Sequence, residues 1–162
     1  YPLPEAELDR FMLKLRMDYP QQDEELNMVR QVTRSAKADM LEVSPLRTLL
    51  QAKDVLALQK IASDLPLDDQ VLDYAVRLAR ATRSWPGLAM GAGPRASIAL
   101  VRGARARALL RGGDFVLPDD IKSCALAVLR HRVRLVPELD IEGLSGDQVL
   151  QQLLDQVPAP RL

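Results

Sequence analysis

Apolar residues recur at helical spacing through most of this chain, and this spacing constrains the fold more than any other feature of the sequence. It predicts helices at about 23–33, 52–65, 69–82, 94–110 and 118–130, with a last helix capped by Ser145. Aromatic residues make up only 4% of the chain, so the core has to be aliphatic. We therefore predict an all-α fold, a bundle of roughly five or six helices.

Two short segments show the alternation of a strand instead. Near the start of the chain, a helical turn after Pro4 is followed by four apolar residues at every second position, Phe11, Leu13, Leu15 and Met17. A lone strand needs a sheet to pair with, and no such sheet is predicted downstream. We therefore expect an orphan strand at 11–17, from a protein of which this chain is one part. Val133 and Leu135 predict a second, edge strand.

The charge balance and the scarcity of metal-binding residues exclude several classes of function. Lys plus Arg and Asp plus Glu each number 22, so the formal net charge is +0, unlike that of a dedicated nucleic-acid carrier. A single cysteine and a single histidine exclude an internal disulfide, a multi-Cys zinc site and a two-His metal motif, so no metal site is predicted.

The sequence also gives no sign of a membrane or of secretion. No segment approaches the ~20 apolar residues of a membrane helix, and the first residues do not form a signal peptide. We expect a cytoplasmic protein without membrane contact.

Charge is segregated along the chain despite the neutral total. Between residues 77 and 113 there are eight arginines and no acidic residue. They predict a positive surface, which could serve a helical module that binds nucleic acid or another protein. Alternatively, most of these arginines could pair with the acidic segments at 64–73 and 138–147. The neutral charge and few aromatic residues make nucleic acid the less expected partner.

Arg95 is the first candidate site residue. It lies in the opening turn of the predicted helix at 94–110, directly after Gly91-Ala92-Gly93-Pro94. A helix N-terminus offers free N–H groups and the positive end of the helix dipole, so a cation there is unfavourable for the helix. An anionic ligand such as phosphate would offset this, because a guanidinium matches phosphate oxygens.

Arg10 is the second candidate. It lies in Leu8-Asp9-Arg10-Phe11, between the helical turn and the strand, where a side chain can project from a domain edge. Taken alone, it is better explained as a salt-bridged surface residue. His131, between two arginines, is predicted to contact carbonyls at a helix end with lowered proton affinity. Cys124 is predicted to be a small buried apolar residue.

Several segments in a fixed order resemble the MoxR branch of the AAA+ ATPases. They are Tyr1-Pro-Leu-Pro-Glu-Ala-Glu-Leu-Asp-Arg-Phe11, Asp73-Tyr74, Ala81-Thr82-Arg83, Gly91-Ala-Gly-Pro-Arg-Ala96, Leu109-Leu110-Arg111-Gly112, Val116-Leu-Pro-Asp-Asp-Ile-Lys122 and Val128-Leu-Arg-His-Arg132. Their order and spacing agree with the family along residues 1–135, whereas the chain past Pro137 matches weakly.

The resemblance implies which part of such an ATPase this chain represents. The sequence contains no phosphate-binding GxxxxGK[ST] motif and no acidic pair at the end of an apolar strand. It is therefore similar to the C-terminal part: a remnant of the AAA+ αβα core at 1–20, the helical lid at 21–157 and a tail at 158–162. ATP and Mg²⁺ would bind to the full-length protein, and neither to this chain alone, which has no complete active site.

The resemblance also implies roles for the two candidate residues. Arg10 resembles the catalytic arginine finger that reaches the γ-phosphate of ATP held by the neighbouring subunit. Arg95 resembles the sensor arginine of the lid, which contacts the nucleotide of its own subunit. The family usually has Ser where this chain has Gly93, a departure that leaves Arg95 intact. Glu5 is a further interface residue that the resemblance suggests less firmly.

The function implied by the resemblance is that of an ATP-driven, chaperone-like remodelling enzyme. Such proteins hydrolyse ATP as homo-oligomeric, hexameric rings and commonly act with partners that carry von Willebrand A domains. An arginine supplied across a subunit interface can contribute ~10³–10⁵ to the rate of phosphoryl transfer. A lid arginine at a helix N-terminus would couple the nucleotide state to the lid angle.

Overall fold

The computed structural model describes residues 3–34 and 46–161. The chain divides into two compact units, one of which joins the chain up to Leu15 to the chain from Leu56 onward. The other unit is Arg16–Val55. The domain boundaries expected after residues 20 and 157 stay predictions. The polar connection that the sequence suggests at 34–39 lies, from residue 35 on, outside the described residues.

Helices account for most of the described structure. They are α1 (Glu5–Leu8), α2 (Gln22–Arg34), α3 (Ala52–Asp64), α4 (Asp69–Ala81), α5 (Pro94–Leu110), α6 (Pro118–Leu129), α7 (Pro137–Ile141) and α8 (Gly146–Gln156). All but α1 and α7 contain 11 to 17 residues. The predicted all-α fold and its five or six helices are confirmed. Within the described residues, no helix has both the length and the apolar character needed to cross a membrane.

A small antiparallel sheet joins the loop before α5 to the chain after α6. Its strands are β1 (Leu88–Met90) and β2 (Arg134–Leu135). The amide of Val136 adds a hydrogen bond of 3.0 Å to the carbonyl of Gly87. The edge strand predicted at Val133 and Leu135 is therefore present, whereas its partner β1 was not predicted.

The segment predicted as an orphan strand belongs to no sheet in the described part of the chain. Phe11 and Met12 form a bend, and residues 13–20 have no regular secondary structure. The amide of Lys14 donates to the carbonyl of Ala127 at 2.8 Å, so the segment begins by lying against the end of α6.

The core is aliphatic apart from Tyr74 and is formed by α4, α5, α6 and α8. Its largest fully buried side chains include Tyr74, Leu78, Leu100, Ile121, Leu129, Leu150 and Leu153. Helix α5 contributes mainly alanines, which allow close packing against α6. Val149, Leu150, Leu153 and Leu154 of α8 are buried, as their spacing predicts. The helical spacing of α5 also predicts an inward-facing Ile98, and this prediction is wrong, because Ala99 is buried instead and Ile98 is 53% exposed.

Candidate functional site

The end of α4 holds the loop that precedes α5. The buried hydroxyl of Thr82 donates to the carbonyl of Ala79 at 2.6 Å and accepts from the amide of Ala92 at 2.8 Å. Nε of Arg83 donates to the carbonyl of Ala92 at 2.9 Å. These bonds fix the backbone two residues before α5 begins.

The two glycines of this loop have different structural requirements. A Cβ at Gly91 would lie 2.5 Å from both the Cα of Arg83 and the carbonyl oxygen of Thr82. Neither backbone atom can move away cheaply, so the close approach requires glycine. Gly93 has no heavy atom within 4 Å of the position its Cβ would take, so a side chain has room there.

Arg95 lies in the first turn of α5, as the sequence predicts. Gly93 is the N-cap and provides no side-chain hydrogen bond, Pro94 follows, and the first turn contains no acidic residue. The Arg95 side chain is 56% exposed, and its Nε lies 3.9 Å from Oδ2 of Asp9. This separation allows an ion pair but exceeds a hydrogen bond. The positive charge of Arg95 and the helix dipole is thus only weakly compensated.

Arg10 lies two residues after the end of α1. Its amide donates to the carbonyl of Glu7 at 3.1 Å, which continues the turn of the helix, and its side chain is exposed. Among residues 3–34 and 46–161, no carboxylate is close enough to pair with its guanidinium. The salt bridge that the alternative interpretation of Arg10 requires therefore has no partner in this part of the chain.

The loop that carries Arg10 is held by Arg132, which lies beyond the end of α6. The Arg132 side chain is 2% exposed, and its Nε donates to Oδ1 of Asp9 at 3.0 Å. Its other donors reach the carbonyls of Asp9 at 3.0 Å, Phe11 at 2.6 Å, Met12 at 3.2 Å, and Val128. One buried guanidinium thus contacts the backbone on both sides of Arg10.

The two residues before Arg132 contact the same segment. Nε2–H of His131 donates to the carbonyl of Phe11 at 2.9 Å, and Arg130 donates to that of Lys14 at 3.2 Å. Burial lowers the pKa of His131, the Phe11 hydrogen bond opposes this, and the charge of Arg132 lowers the pKa further. The sequence correctly predicts the carbonyl contact and the direction of the shift, although burial rather than the neighbouring arginines is its main cause.

Arg10 and Arg95 line one groove with a volume of about 310 Å³. Its charged lining consists of four arginines and one aspartate, namely Arg10, Arg95, Arg102, Arg132 and Asp9. A volume of this size lies at the lower end of the range for small-ligand sites. Arg132 is buried and bonded to the protein, but the guanidiniums of Arg10, Arg95 and Arg102 outnumber the single carboxylate, so the groove is suited to an anion such as a phosphate group.

The other arginines of residues 77–113 lie on different faces. Arg77 pairs with Asp73 at 2.7 Å and lies over the Tyr74 ring, 5.5 Å from its centroid. Arg111 pairs with the buried Asp120 at 3.0 Å. A second groove is lined by Arg77, Arg80 and Arg83, and a third by Arg107 and Arg111. The arginine run thus divides among several surfaces, with some members already paired.

Cys124 lies half-buried in α6. Its Sγ is 3.3 Å from the carbonyl oxygen of Ile121 and 3.7 Å from that of Leu100. Burial raises its pKa to about 11. In the described ranges, no group of three or more His, Cys, Asp or Glu side chains is placed to hold a metal ion.

Three charged residues of the groove were not predicted from the sequence. Asp9 directly precedes Arg10, and Arg102 follows Arg95 by seven residues, which places both arginines on one helical face. These two signals were available from the sequence. Arg132 belongs to one of the family motifs, but its contact with Asp9 could not be predicted, because the two residues are 123 positions apart along the chain.

Comparison with known proteins relates this unit to ATPases. Residues 80–153 match the AAA lid domain family. The chain is 38% identical to the uncharacterized protein YeaC of Bacillus subtilis, over 99% of this chain and 48% of that protein. It is 34% identical to the chaperone MoxR1 of Mycobacterium tuberculosis, over 100% of this chain and 44% of that protein.

A solved structure has the same fold. A crystal structure of a proposed ATPase from Cytophaga hutchinsonii superposes with a TM-score of 0.86 at 32% identity, covering 99% of this chain and 50% of that one. The chain spans about half the length of the curated relatives it matches.

Proposed function

Because this chain belongs to the MoxR family of AAA+ ATPases and contains their lid domain, we propose that it serves an ATP-driven, chaperone-like remodelling enzyme. The observation that carries the proposal is the single groove lined by Arg10 and Arg95. In the full-length protein, which would act in the cytoplasm as a hexameric ring, this groove faces the phosphates of Mg²⁺-bound ATP. Partners with von Willebrand A domains are part of the same proposal.

Arg95 is assigned to nucleotide binding. Its ion pair with Asp9 at 3.9 Å is weak enough to be exchanged for a phosphate oxygen. The first turn of α5 adds the positive end of the helix dipole, which favours an anion. Binding of phosphate to Arg95 can therefore influence the position of α5 and of the helices packed on it.

Arg10 is assigned to catalysis. Its exposed guanidinium extends from a backbone that the contacts of Arg132 hold in place. Phosphoryl transfer depends mainly on positioning and charge neutralisation, which a fixed loop with an exposed arginine can supply. Arg10 acts on ATP held by the neighbouring subunit, as an arginine finger does.

The shared groove favours one nucleotide for both arginines. The family resemblance assigns Arg10 to the neighbour's nucleotide and Arg95 to that of its own subunit. Since the two side chains border the same ligand-sized space, we propose that both act on the nucleotide of the neighbour.

Subunit mixing tests the proposal. In full-length rings, Arg10→Ala is expected to bind ATP but lose hydrolysis, and Arg95→Ala is expected to weaken both. Each variant is then mixed with a subunit that cannot bind ATP but has both arginines. Restored hydrolysis in both mixtures supports one shared nucleotide. If only the Arg10→Ala mixture regains hydrolysis, Arg95 acts on the nucleotide of its own subunit.

Two further results would contradict the assignments. If Arg10→Lys and Arg95→Lys both hydrolyse ATP normally, neither guanidinium is required, because Lys lacks the planar fork. If neither mixture regains activity, Arg10 does not act across the interface. Arg107→Lys is the matched control, since Arg107 is exposed on α5 and lies outside the groove.

A further inference from the structure

The hydrogen bonds of Arg132 use its full donor capacity. A guanidinium has five N–H groups, and the five acceptors of Arg132 are Oδ1 of Asp9 and the carbonyls of Asp9, Phe11, Met12 and Val128. Only the last of these belongs to α6. The other four belong to the loop on either side of Arg10.

Burying Arg132 costs more free energy than the stability of the fold alone requires. Removing a guanidinium from water is expensive, and apolar residues of similar volume often fill a buried site at least as well. The four loop contacts instead fix the direction in which the backbone presents residue 10. Arg10 itself makes no ion pair in the described chain that would hold it, so its placement depends on its neighbours.

We propose that Arg132 is a positioning residue for Arg10. This inference rests on the proposed function, in which Arg10 stabilises charge during phosphoryl transfer. Arg132 does not need to contact the nucleotide itself, because it acts by holding residues 9, 11 and 12. It also holds one oxygen of Asp9, which leaves the other oxygen facing Arg95.

Arg132→Lys is the informative substitution. An ammonium keeps the positive charge but has three donors without the planar fork, so at least two of the five acceptors lose their partner. A displacement of the order of 1 Å can cost about 100-fold in rate. We therefore expect kcat of full-length rings to fall about 10- to 100-fold, with KM for ATP and ring assembly unchanged.

A double-mutant comparison separates positioning from a general structural role. If Arg132 acts through Arg10, adding Arg132→Lys to Arg10→Ala causes no further loss in single-turnover hydrolysis. An additional loss in that background, or a kcat unchanged by Arg132→Lys in an otherwise intact ring, overturns the inference. Arg107→Lys is again the matched arginine control.

The failures of the two proposals are distinguishable. Normal hydrolysis by Arg10→Ala overturns the proposed function itself. If Arg10→Ala loses hydrolysis but Arg132→Lys has a normal kcat, only the positioning role of Arg132 is overturned. If Arg132→Lys does not assemble, Arg132→Gln replaces it, because its amide keeps two N–H donors for the loop carbonyls and leaves Asp9, the ion-pair partner of Arg95, unchanged. Its loss of kcat should likewise disappear in the Arg10→Ala background, and an additive loss overturns the inference.

Discussion

The hydroxyl of Thr82 and the amide of Ala92 are joined by a 2.8 Å hydrogen bond that links the end of α4 to the loop before α5. Thr82 is completely buried, so water cannot replace it as the acceptor. The bond connects two segments that the sequence presents as separate family motifs, 81–83 and 91–96. The first motif thus serves to shape the second, which presents Arg95.

Thr82→Val should therefore destabilise the protein. Valine keeps the shape of threonine but leaves the buried N–H of Ala92 without an acceptor, which costs about 1–3 kcal/mol in the free energy of unfolding. Thr82→Ser retains the hydroxyl and should lose less. Urea unfolding of the purified chain measures both variants. Equal stability of the Val variant and the wild type would show that this bond does not hold the loop.

Substitutions at the two loop glycines should change the stability of the protein in opposite directions. Gly91→Ala places a Cβ against the backbone of Thr82 and Arg83, and overpacking of this kind costs about 1–3 kcal/mol. Gly93→Ser has room and adds an N-cap oxygen to α5, which should stabilise by roughly a few tenths of a kcal/mol. Thermal unfolding of the two single variants tests the pair. Equal shifts of Tm in the same direction would contradict this account.

The helices could be predicted because their boundaries have local signals. Pro94 begins α5, and Gly112, with a φ of +72°, follows its last turn. Asp68 caps α4 by accepting from the amide of Gln70 at 2.8 Å. Each of these effects acts over a few residues, so the sequence shows both the helix and where it stops.

The groove could be predicted only in part. Arg10 and Arg95 were identified one at a time, but their common groove depends on Asp9 and Arg132, whose contacts span 123 positions. Strand β1 was missed for the same reason, because its three residues have no pattern of their own and depend on β2. Helix α7 is only five residues long and has too few turns for periodicity to show.

His131 should make stability depend on pH. Its pKa is lowered from 6.5 in the folded protein, chiefly by burial, so the unfolded chain binds the proton more readily. The stability from neutral His131 is fully present above pH 6.5 and is lost as the pH falls from there toward the folded pKa. Unfolding at pH 7.5, 6.5 and 5.5 should show a steeper loss for wild type than for His131→Gln. If wild type and His131→Gln lose stability in parallel as the pH falls, the pH dependence comes from carboxylates and not from His131.

Cys124 should react slowly with alkylating reagents while the protein is folded. Burial raises its pKa to about 11, so little of the reactive thiolate forms at pH 8, and the half-buried position restricts access. Iodoacetamide should modify the folded chain at least about 10-fold more slowly than the chain unfolded in urea, even after allowing for the greater nucleophilicity of a high-pKa thiolate. Mass spectrometry measures this directly, since Cys124 is the only cysteine in the sequence. Equal rates in the two states would contradict the close contact of the thiol with the carbonyls of Ile121 and Leu100.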